Sequence, residues 1–124
     1  MEIFNNYDLG KKLNFNYSNS SPFPSIVLDD FINPEVAKQC LEELKRYYGW
    51  GSESPHNTYM APHQVRKYYT PWSLENLAYL RANAPTVYNT LQYFNSQPFL
   101  NFLQDLTGIN GLIADPTFYG GGAH

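Results

Sequence analysis

The chain has 124 residues, enough for at most one domain, and 43% hydrophobic against 15% charged residues marks it as globular rather than disordered. Its net charge is −3, from 8 basic and 11 acidic residues, and no basic cluster exceeds two residues (Lys11-Lys12, Lys45-Arg46 and Arg66-Lys67 are scattered), which argues against a phosphate-neutralising nucleic-acid surface. There is no run of about 18 apolar residues to span a membrane, and Met1 to Asn6 lack the regions of a signal peptide.

Residues 1–21 are polar and Asn/Ser-rich and read as a flexible N-terminal arm, with the domain proper at 22–124. After Pro22-Phe23-Pro24, the β-branched run Ser25-Ile26-Val27-Leu28-Asp29-Asp30-Phe31 predicts a short strand. Asn33-Pro34-Glu35 is a helix start, with Asn as cap, Pro in the first turn and Glu complementing the dipole. Val36, Ala37, Cys40, Leu41 and Leu44 follow on one helical face. Residues 49–65 are broken by Gly, Ser, Asn and Pro into a loop, and Val65-Arg66-Lys67-Tyr68-Tyr69 suits a strand or extended edge. Thr70-Pro71 opens a short helical stretch with Trp72, Leu74, Leu77, Ala78 and Leu80, and Pro85 opens another with Val87, Tyr88, Leu91 and Phe94. Ser96-Gln97-Pro98 caps a better-defined helix with the stripe Phe99, Leu100, Leu103 and Leu106, stopped by Gly108. A turn at Asn110-Gly111 leads into a last predicted strand at 112–119 and three glycines, which call for a tight turn or a close backbone approach. The order of elements predicts an α+β fold, with helices gathered before most of a sheet.

The chemistry-bearing residues are few. His56 and His63 are seven apart in a Pro-interrupted loop, without the spacing of helical metal ligands, and His124 follows the glycines. Asp29-Asp30 could bind a divalent ion, but adjacent strand residues face opposite ways, so a turn is the plainer reading. Asp115, before Pro116, suits a turn or edge. Cys40, the single cysteine, excludes an intrachain disulfide, lies on an apolar helix face as a small hydrophobe, and fits a reducing, cytoplasmic compartment. The 11 tyrosines suit core and surface positions, with an aromatic-lined groove as the alternative. There is no nucleophile–base pattern, phosphate-cradling loop or Cys/His array. No catalytic, cofactor-binding or metal-ligating residue is assigned.

The stretch from Leu91 through Asn95-Ser96 to Leu106-Thr107-Gly108-Ile109, then Asp115-Pro116 and Gly120-Gly121-Gly122-Ala123-His124, resembles the prolyl-4-hydroxylase-like branch of the iron(II)/2-oxoglutarate-dependent oxygenases. The resemblance spans roughly 22–124 and is strongest over 91–124. It implies a double-stranded β-helix, or jelly roll, of which this chain supplies the N-terminal helices (34–46, 86–95 and 97–107) and first strands. It also implies Fe(II) and 2-oxoglutarate as cofactor and co-substrate, and hydroxylation of a prolyl or other substrate, peptide or small molecule. In that family a His-x-Asp motif follows the glycine motif and supplies iron ligands. Here the chain stops at His124, which matches the histidine of the glycine motif, so no ligand transfers to this sequence. The expectation is therefore a fragment, an oxygenase scaffold inactive by itself. The alternatives are a non-catalytic assembly or binding module, one half of a split oxygenase, or an unrelated aromatic-rich ligand binder. A fragment with open strand edges is also expected to self-associate.

Overall fold

The computed structural model describes residues 2–4, 8–48, 58–59, 68–118 and 121–123. Five helices dominate them: α1 (Leu9–Ser18), α2 (Pro34–Tyr48), α3 (Leu74–Asn83), α4 (Pro85–Phe94) and α5 (Gln97–Thr107). Extended structure among the described residues is confined to β1 (Thr58–Tyr59), β2 (Tyr68–Pro71) and β3 (Gly122–Ala123). These pair antiparallel in the order β1-β2-β3, with Thr58 opposite Tyr69 and Thr70 opposite Ala123. The chain divides into two compact units, Met1–Ala37 with Thr90–Ala114, and Lys38–Asn89 with Asp115–His124.

The α+β expectation, with its jelly-roll strands, is overturned: the described residues are predominantly helical, and no strand forms among the described residues of the predicted runs 25–31 and 112–119. The physical reason differs between them. Residues 25–28 keep the period-two burial of a strand, with Ser25 and Val27 exposed and Ile26 and Leu28 half-buried, but the inward residues seat on helices rather than beside another strand. At 111–118 side chains take some of the backbone donors, and the Phe118 N–H closes a turn on the Asp115 carbonyl at 3.3 Å. Gln104 Oε1 on α5 accepts from the N–H groups of Gly111 (2.8 Å) and Leu112 (3.0 Å), and Asp115 Oδ1 accepts from the Thr117 N–H (2.9 Å) and hydroxyl (2.6 Å). An Asp that bonds the backbone two residues on makes a turn, not a ladder.

The first unit is organised by rings. Phe4 stacks on Phe31 at 4.3 Å between centroids and meets Phe102 edge-on at 5.5 Å, while Phe99 meets Phe31 at 6.2 Å and Phe102 at 5.9 Å. Such offset and edge-to-face pairs add about 0.5–1.5 kcal/mol each beyond burial of area. Around buried Phe4, Phe102 and Leu106 pack Leu9, Leu13, Tyr17, Ile26 and Leu28. Residues 9–18, read from the sequence as part of an arm, are thus a helix with an apolar face on the core. Gly10 makes this possible, since a Cβ there would lie 2.6 Å from the Phe102 carbonyl oxygen. Asn14 fastens the same contact, its Nδ2 donating to the Leu106 carbonyl at 2.8 Å. The end of α5 follows the sequence expectation: Gly108 is left-handed at φ 75° and its N–H returns to the Gln104 carbonyl. Ser96 holds the cap position there, but its hydroxyl makes no capping bond.

In the second unit, Leu77, Leu80, Ala84 and Val87 are buried. Ser73 caps α3 by accepting from the Asn76 N–H at 3.2 Å. Gly121 answers the expectation of a close approach, because a Cβ there would lie 2.8 Å from Cδ1 of the Trp72 indole, and the Trp72 N–H donates to the Gly121 carbonyl at 2.9 Å.

Candidate functional site

The one buried charged side chain among the described residues is Glu43 on α2, which is 2% exposed. Its setting follows from how α4 begins. Helices leave their first N–H groups without intrahelical partners, and α4 starts at Ala84-Pro85, with no polar side chain at the cap. The Ala84 N–H is spent on the Leu80 carbonyl at 2.7 Å, and Pro85 has none. The two donors left over, the N–H groups of Thr86 and Val87, both point at Glu43 Oε2, at 2.9 and 3.0 Å. Gln39, one turn earlier, donates to Oε1 at 3.2 Å. Burial pushes the Glu43 pKa up, but hydrogen bonds from the Thr86 hydroxyl, the Val87 N–H, Gln39 and the Thr86 N–H outweigh it. The net result is a carboxyl below its ordinary 4.5.

Arg46, one turn further along α2, donates through Nη2 to the Asn83 carbonyl at 3.3 Å. A carboxylate therefore meets the positive start of α4 and a guanidinium the negative end of α3, the favourable sense at each helix terminus. Oε2 of Glu43 is occupied by the two amides that begin α4, and Oε1 by Gln39 on its own helix. The constellation fixes backbone geometry at the start of α4, and burial keeps the carboxylate away from solvent.

The residues singled out in the sequence do not converge. Asp115 is exposed and committed to its turn with Thr117. Cys40 is half-buried on α2, on the expected face, although Ala37 and Leu41 on that face are exposed while Glu43 is buried. His56, His63 and His124 lie outside the described residues. Asp29 and Asp30 are exposed, with Asp30 in the left-handed region at φ 55°, where Asp is among the tolerated residue types. Together with Glu2 they border a groove of about 600 Å³ whose walls include Phe4, Leu9, Leu13 and Val27. Among the aromatic side chains of the first unit, Phe4, Tyr17, Phe31, Tyr93, Phe99 and Phe102 form or pack on its core, with Phe4 and Phe31 also reaching the wall of this groove, while Phe15 and Phe23 are exposed.

Among the described residues no three His, Cys, Asp or Glu side chains come together to hold a metal. These residues do not fit an iron centre. No helix among them is long and apolar enough to cross a membrane. Compared with protein-family models, with curated proteins and with solved structures, the chain matches none.

Sequence reasoning missed Glu43. The available signal was Ala84-Pro85, a helix start with no capping side chain, because two orphan donors behind a proline require an acceptor from elsewhere.

Proposed function

We propose that this chain is a helical support for an iron(II)/2-oxoglutarate-dependent oxygenase acting on a prolyl or other substrate in the cytoplasm, with iron and 2-oxoglutarate held by residues other than those described. The observation that carries this reading is the ordered set Asn95-Ser96, Leu106-Thr107-Gly108-Ile109, Asp115-Pro116 and Gly120-Gly121-Gly122-Ala123-His124. The supporting observation is that α2, α4 and α5 run at Pro34–Tyr48, Pro85–Phe94 and Gln97–Thr107, close to the 34–46, 86–95 and 97–107 that the resemblance assigns to buttressing helices.

Two measurements test the reading. Ferrous ion titrated into the purified 124-residue chain, with 2-oxoglutarate present, is expected to give neither a stoichiometric binding isotherm nor succinate, and either signal overturns the scaffold role. The coding sequence downstream of His124 is expected to continue into a His-x-Asp motif. A continuation without that motif removes the oxygenase.

A second reading, an assembly or binding module, is favoured by Val27 and Ile113, which are 84% and 89% exposed on segments that pair with no strand among the described residues.

A further inference from the structure

We propose that the groove beside residues 25–31 is a docking site for a basic, strand-forming peptide segment of another protein. The inference does not depend on the oxygenase reading. Three features of the first unit meet at this groove, and each restricts what can fill it.

The first is apolar surface. Phe4, Leu9, Leu13 and Leu28 form part of the lining, and Val27 is left 84% exposed. A volume of about 600 Å³ suits a short run of side chains and lies within the usual range of ligand clefts, roughly 300–1,000 Å³.

The second is charge. Glu2, Asp29 and Asp30 border the groove, and among the described residues no lysine or arginine lines it and none of the three carboxylates enters an ion pair or hydrogen bond. An anionic occupant, nucleic acid included, is repelled, while a lysine or arginine side chain can lay its apolar stem on the wall and its charge at the rim.

The third is backbone. Ile26, Val27 and Leu28 make no backbone hydrogen bond among the described residues, although the segment alternates in burial as a strand does. At about 3.3 Å per residue, an edge of this length pairs with about four residues of an added strand. Peptides that add to such an edge gain affinity from the main chain and specificity from alternate side chains. Only a peptide with apolar residues alternating with basic ones uses all three features.

The test uses the full 124-residue chain and fluorescence anisotropy of labelled octapeptides in low salt. A peptide of alternating lysine and valine is expected to bind saturably. One of alternating glutamate and valine is expected not to bind. One of alternating lysine and proline, which keeps the charge but loses half the backbone donors, is expected to bind about tenfold more weakly. Asp29→Asn with Asp30→Asn is expected to weaken the lysine–valine peptide about tenfold, and added salt to weaken it further through screening. Val27→Pro, at an exposed position whose N–H makes no hydrogen bond among the described residues, is expected to weaken binding while the thermal midpoint stays within a few degrees of the parent. Comparable binding of the glutamate peptide, undiminished binding of the lysine–proline peptide, or parent affinity in the natively melting double variant would each overturn the proposal.

Discussion

The two units bury different things. Met1–Ala37 with Thr90–Ala114 is closed by aromatic rings and leucines, and among its described residues no ionisable side chain is buried. Lys38–Asn89 with Asp115–His124 buries leucines, an alanine and a valine, but also one carboxylate that two backbone amides require. An apolar core tolerates approximate partners of similar volume, whereas a buried polar cluster must be satisfied completely or it costs more than it contributes. The first unit should therefore respond to lost volume and be indifferent to pH, and the second should respond to the charge of a single atom pair.

The largest expected effect is Phe102→Ala. It removes a ring that touches Phe4, Phe31 and Phe99, and it should lower stability by about 3–5 kcal/mol. Denaturant melts should show the loss, with amide exchange rising in α1 and α5. A loss under 1 kcal/mol would mean that the rings are not the core of that unit.

Next is Glu43→Ala, which strands the Thr86 and Val87 donors and should cost about 2–4 kcal/mol at neutral pH. Glu43→Gln keeps an acceptor oxygen and should lose about half as much. The same group sets an acid dependence. Its folded pKa is lowered, so the unfolded chain takes up the proton first. The contribution is complete above the unfolded value of about 4.5 and disappears as pH falls through the lower folded value. Amide exchange at Thr86 and Val87 between pH 6 and pH 3 should accelerate beyond the intrinsic trend in the parent chain and not in Glu43→Gln. Equal profiles for the two proteins would refute the linkage.

Ser73→Ala gives the smallest effect, about 1 kcal/mol, from loss of a local cap. Measured beside Glu43→Ala, it calibrates what a distant cap contributes over a neighbouring one.

The contrast between these two caps also explains which parts of the structure were legible in the sequence. Local signals survived. Asn33 Oδ1 accepts from the Glu35 N–H at the start of α2, and Gly108 turns left-handed at the end of α5. Helices α2, α4 and α5 begin and end within a residue or two of their expected bounds because proline, capping side chains and glycine act within one turn. What depends on remote partners was not readable. Helix α1 lacks a side-chain cap and is secured by Gly10 and Asn14 against residues more than 90 positions away. The β-branched run at 25–31 and the apolar run at 112–119 read as strands, but propensity becomes a strand only where another strand offers a ladder. Their sequences specified alternation and turn residues, both visible in the structure, without specifying a pairing partner. Glu43, 43 residues from the nearer amide it serves, shows up in the chain only through the absence of a capping side chain before Pro85.

The close fit at Gly10 bears on how this protein can be handled. A residue without a side chain lets two helical backbones nearly touch, so even a methyl group at that position would act as a wedge, prising the first helix from the surface it roofs. Shortened versions that discard the opening eighteen residues as dispensable would lift that roof off Phe102 and Leu106 and should be recovered as insoluble material.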